Sequence, residues 1–78
     1  MINPHNMDGR VAAQQGRPVS TNPHPAGTRA YYGWLADWHE GQAAQLRAAD
    51  PRRRKLNEMA RQYRLQANSP ALTSAAGA

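Results

Sequence analysis

The sequence has no cysteine, no phenylalanine, only five acidic residues and no long apolar run. The first absence excludes disulfide stapling and thiolate metal sites, two usual supports of very small domains. With no run near the ~20 apolar residues that a membrane-spanning helix needs, no membrane partner is expected. Met1 to Arg10 also lacks an apolar signal segment, so the expected location is cytoplasmic. Without Phe, large apolar area must come from two Trp, three Tyr and a few aliphatic side chains, many of the remaining hydrophobic residues being Ala. A 78-residue chain so furnished holds one small domain, stable by a narrow margin or through docking on something larger.

Scarcity extends to catalytic chemistry. The serines Ser20, Ser69 and Ser74 fall in stretches with no oriented base nearby in sequence. Asp37 and Glu40 share a helix face, but a chain of this length builds no ordinary cleft around them. His5, His24 and His39 are too scattered for a metal-ligand spacing, and exposed or hydrogen-bonded histidines account for them. No enzyme, cofactor, metal or small-molecule substrate is expected.

What is abundant is positive charge, and it is uneven. Ten Lys and Arg against five Asp and Glu give +5. Residues 1–27 hold Asp8, Arg10 and Arg17; residues 28–50 hold Arg29 and Arg47 against Asp37, Glu40 and Asp50. Residues 51–67 carry Arg52, Arg53, Arg54, Lys55, Arg61 and Arg64 against Glu58 alone. The net excess therefore equals that of the last segment. Guanidinium groups match phosphate oxygens through a planar donor fork, and such binding weakens steeply with salt. A solvated helix face is the plain alternative.

The pattern predicts an all-α fold. A short helix over about 8–15 starts at Asp8 and stops at Gly16, Arg17 and Pro18; its small residues permit close backbone approach. Pro18, Pro23 and Pro25 make 17–28 an extended linker, ending at Thr28 as the next helix cap. Helix two is expected over about 29–49, with Tyr31, Trp34, Leu35, Trp38 and Leu46 on one face. Gly33 and Gly41 inside it each cost roughly 1 kcal/mol against Ala, implying a packing reason. Asp50-Pro51 opens helix three, 51–67, whose stripe is Leu56, Met59, Ala60, Tyr63 and Ala67. The short connection predicts an antiparallel hairpin pairing Trp34, Trp38 and Leu46 with Leu56, Met59 and Tyr63. Residues 1–67 thus form one domain, and 68–78 read as a disordered tail. Trp38 is assigned to the core, whereas Trp34 is either core or an exposed ring that stacks on a base.

Gly9-x6-Gly16, then Asn22-Pro23, then Trp34-Leu35-x-x-Trp38-x-Glu40 resembles the ribosome modulation factor family of bacterial hibernation proteins. In that family a small-residue helix with glycines seven apart precedes Cys-Pro-Tyr or Asn-Pro-Tyr and a helix opening Trp-x-x-Gly-Trp-x-[Glu/Asp]. The match runs from residue 8 to about 44, roughly half the chain. It implies two helices joined by an extended linker and docked on the small ribosomal subunit, where they cover the messenger-positioning region. Translation is silenced there, and paired inactive ribosomes are favoured. By carry-over, Arg10 and Arg17 become ribosomal-RNA contacts, and Pro23, Trp34 and Trp38 scaffold. The chain departs from the family in three places. Its first seven residues are not basic, Asp37 stands where the family has glycine, and helix three lies outside the family core. Arg52 to Lys55, with Arg61 and Arg64, would then supply phosphate-binding charge at the other end. Two other readings stand beside this one. The first is a small inhibitor or adaptor, including one encoded by a phage, that binds a protein through the Tyr31/Trp34/Tyr63 hairpin. The second is a DNA-binding helical module, for which no helix-turn-helix spacing stands out.

Overall fold

A computed structural model describes residues 8–69. The non-basic segment 1–7 and nearly all of the expected disordered tail lie outside them. Among the described residues the fold is all-helical, with α1 at Gly9–Gln14, a 3-10 turn at Val19–Thr21, α2 at Arg29–Ala44 and α3 at Pro51–Ala67. Each helix begins where a side chain relieves its unpaired amides. Asp8 accepts from Val11 N–H, Thr28 from Tyr31 N–H and Asp50 from Arg52 N–H. Pro51 occupies the first turn of α3, where a missing N–H is harmless. α1 ends in a Schellman arrangement: Arg17 N–H donates to Ala12 O at 2.9 Å and Gly16 N–H to Ala13 O at 3.1 Å. Gly16 takes φ +73°, a conformation that glycine adopts without penalty.

Two expected boundaries shift. α2 stops at Ala44 rather than near Ala49, and residues 45–50 make a turn with Leu46 N–H on Ala43 O and Asp50 N–H on Arg47 O. The 17–28 linker is not uniformly extended, because Thr21 N–H closes on Pro18 O and forms the 3-10 turn.

The buried set is mostly small: Ala12, Ala13, Trp34, Leu35, Ala36, Ala43 and Ala60. Val11, Tyr31, Tyr32, Trp38 and Tyr63 pack against a nucleus of Ala12, Trp34 and Leu35. Leu46, Leu56 and Met59 were expected in that nucleus but are only half-buried. Leu46 falls in the turn after α2, and alanine faces let α1 come close enough to take the place of larger groups. The closest approach is at Gly9: a Cβ there would overlap Trp34 O and stand 2.7 Å from Trp38 N. At Gly41 a Cβ would lie 2.8 Å from the Ala13 methyl. Gly33 faces open space, so the packing reason expected for it is absent.

Four polar contacts tie α1 and the linker to α2. Gln45 Nε2 donates to Ala13 O at 2.8 Å, and the Trp38 indole N–H to Arg17 O at 2.9 Å. Asn22 Nδ2 donates to Tyr31 O at 3.1 Å, and Arg10 pairs with Glu40 at 3.2 Å. The start of α2 meets the end of α3 through Arg29 Nη2 on Ser69 O at 3.3 Å. The end of α2 meets the start of α3 through Arg53 Nη1 on Leu46 O, also 3.3 Å.

Candidate nucleic-acid interface

The cations expected to bind RNA divide into two groups. Arg64 is drawn inward, donating to Asp37 at 2.9 Å and Glu40 at 3.0 Å, and Glu40 also takes Arg10. One carboxylate thus joins side chains from all three helices. The hydrogen bond to Asp37, chiefly, holds the Arg64 guanidinium even more firmly protonated than usual, against a smaller effect of burial. Arg52 folds back on its own cap through Nε and Nη2, the shorter bond being 2.7 Å. That bond, with the Arg52 amide, lowers the Asp50 carboxyl below its ordinary range. Arg53 is engaged by the Leu46 carbonyl.

Arg54, Lys55 and Arg61 remain. All three are exposed, and among the described residues their side chains make no hydrogen bond or ion pair. Arg54 and Arg61 stand seven residues apart on α3 and share a shallow groove of about 400 Å³ with Asn57 and Glu58. Lys55 adds charge in the first turns, where the helix dipole is also positive and no acidic residue stands in the first turn. Cations there are intrinsically unfavourable, and the Asp50 cap offsets only Arg52. Arg17 lies on the exposed linker, 3.5 Å from Gln15 Oε1, its peptide carbonyl held by Trp38.

The scaffold residues read from the sequence take distinct places. Trp34 is 4% exposed and belongs to the core, leaving no open face for a base. Trp38 is half-buried, with its indole edge on the linker. Pro23 is exposed, so its scaffold role rests on its fixed φ rather than on core packing. Asn22 beside it does the joining, since its Oδ1 also accepts from His24 N–H at 3.0 Å.

Sequence reasoning missed two members of the aromatic group. Tyr32 stacks on Tyr63 with centroids 6.2 Å apart and meets the Tyr31 edge at 5.3 Å. His39, expected to be exposed or hydrogen-bonded, is hydrogen-bonded but only 6% exposed, and lies 5.2 Å from Tyr63 and 5.0 Å from Trp38. Its Nδ1 stands 2.7 Å from Leu35 O, a position one helical turn back that fixes the proton on Nδ1. The i, i+4 spacing of Leu35 and His39 was the available signal.

No family model, curated protein or solved structure matches this chain. Among the described residues no helix is long and apolar enough to cross a membrane.

Proposed function

We propose that this chain is an RNA-binding protein that docks on small-subunit ribosomal RNA and silences translation, in the manner of the ribosome modulation factor family it resembles. The observation that carries this reading is the exposed trio Arg54, Lys55 and Arg61 on α3, which has no partner among the described residues. They project from a core too poor in large side chains to need that much charge for solubility. Supporting it, the residues of the resemblance form one connected unit: Gly9 against α2, Gly16 at the turn, Asn22 on Tyr31 and Trp38 on Arg17. A short helix, a Pro-containing linker and an α2–α3 hairpin then present Arg17 and the α3 cations to phosphates. Arg10 and Arg64 are a reserve, since exposed ion pairs are worth little and phosphate can compete for the guanidinium.

A protein-binding adaptor is the second reading. Leu65 is 60% exposed and lines a groove of about 450 Å³ with Glu40, Arg61 and Arg64. Size fractionation of a lysate before and after ribonuclease treatment separates the two. Loss of the chain from the ribosomal fraction after digestion supports RNA docking; an unchanged large complex supports the adaptor and contradicts the proposal.

A further inference from the structure

A second groove lies on the molecule, lined by the 3-10 turn, α2 and α3, with a volume of about 380 Å³. That is the low end for ligand pockets and suits one ring system rather than a peptide or a lipid chain. Tyr31 and Tyr63 line it together with Leu35, Val19, Ser20 and Asn22. His39 also lines it. With Nδ1–H given to the Leu35 carbonyl, Nε2 of this nine-tenths-buried ring is the acceptor when the imidazole is neutral, and it has no partner among the described residues. The hydroxyls of Ser20, Tyr31 and Tyr63 are likewise uncommitted there. Aromatic faces together with an oriented acceptor and adaptable hydroxyls are the chemistry that takes up a splayed-out base, by stacking and by hydrogen bonds to its edge. One cation lies close along the chain: Arg17 is two residues from Val19, within about 7 Å of chain, whereas the Arg64 guanidinium is turned to Asp37 and Glu40.

We propose that this groove holds one unstacked nucleobase of single-stranded RNA, with His39 Nε2 accepting from a base N–H and Tyr31 and Tyr63 enclosing the ring. The inference rests on the RNA reading and adds base contact to a site otherwise built on phosphate.

The test measures affinity of the full chain, at one fixed low salt concentration, for oligouridine and for an abasic ribose-phosphate oligomer of equal length. The uridine oligomer should bind about tenfold tighter, the expected effect of one stacked and bonded base. Ser20→Leu, which fills the groove from an exposed turn, and Tyr63→Leu, which removes a lining ring, should both erase that gap; thermal melting checks that each variant is folded. If a folded Ser20→Leu protein keeps the full gap, the base is read elsewhere and the groove is not its site. Equal affinity of the two oligomers in the unaltered protein leaves RNA binding intact and overturns the groove proposal alone. Binding of neither oligomer overturns both readings. Saturation of the groove by micromolar uridine monophosphate alone would assign it to a free nucleotide instead of an RNA base.

Discussion

Three helical glycines of this chain, given the same added methyl, should respond in opposite directions. Alanine at Gly9 would drive its Cβ into Trp34 O and to 2.7 Å from Trp38 N. Both are backbone atoms inside α2 and cannot rotate away, so α1 must lift off. Overpacking of this kind costs typically 1–3 kcal/mol, and a backbone obstacle puts the change at about 3. A domain of this length has roughly 4–12 kcal/mol of stability in all. At about 4–8 °C per kcal/mol, Gly9→Ala should lower the melting temperature by about 12–24 °C. Gly41→Ala meets the Ala13 methyl at 2.8 Å and the Arg10 backbone just beyond 3 Å, so it should destabilise too, by about 1–2 kcal/mol. Gly33→Ala meets nothing, and the helix-propensity gain of up to about 1 kcal/mol should raise the melting point by several degrees. Thermal unfolding followed by far-ultraviolet circular dichroism reads all three. A Gly9→Ala protein that melts at or above the unaltered temperature would refute the proposed packing of α1 on α2.

Glu40→Gln removes the negative charge shared by Arg10 and Arg64 while keeping an acceptor oxygen; those partners are half-exposed, so stability should fall by less than about 1 kcal/mol. RNA affinity at low salt should rise in the same variant, measured by filter binding, because Arg10 loses its anionic partner and Arg64 keeps only Asp37. Trp38→Phe keeps a ring but loses the bond to Arg17 O; a cost of about 0.5–1.5 kcal/mol and faster proteolysis within 17–28 are expected. The lowered Asp50 carboxyl stabilises the folded state above the ordinary Asp value of about 3.9. That contribution is lost as pH falls through the lower folded value, so an Asp50→Ala protein should show a shallower acid limb in a pH series of melting curves.

The helix starts and the end of α1 were legible because each rests on local chemistry: Asp8, Thr28 and Asp50 cap through their own side chains, and Gly16 closes α1 through its own backbone. The all-helical class followed from the same signals. The C-terminus of α2 was not legible, because residues 45–49 (Gln-Leu-Arg-Ala-Ala) favour helix locally while Gln45 is drawn away to Ala13 O. The centre of the core was misplaced toward Leu56 and Met59, since periodicity ranks side chains by size and cannot show that Ala12 and Gly9 bring α1 nearer. For the candidate site, composition located the basic helix but not the division within it. Whether Arg64 or Arg61 is free depends on where Asp37 and Glu40 lie in space, which no one-dimensional spacing records. The His39–Tyr63 pairing joins residues 24 apart and was equally out of reach.

The most direct measurement is co-sedimentation of the purified chain with small ribosomal subunits over a salt series, comparing the unaltered protein with Arg54→Ala/Lys55→Ala/Arg61→Ala. Docking on phosphates through these side chains predicts a steep loss of binding with salt, and a log–log slope shallower by about 2 in the triple variant, from three charges at ~0.7 each. Identical slopes for the two proteins, or no association even at low salt, would contradict the account.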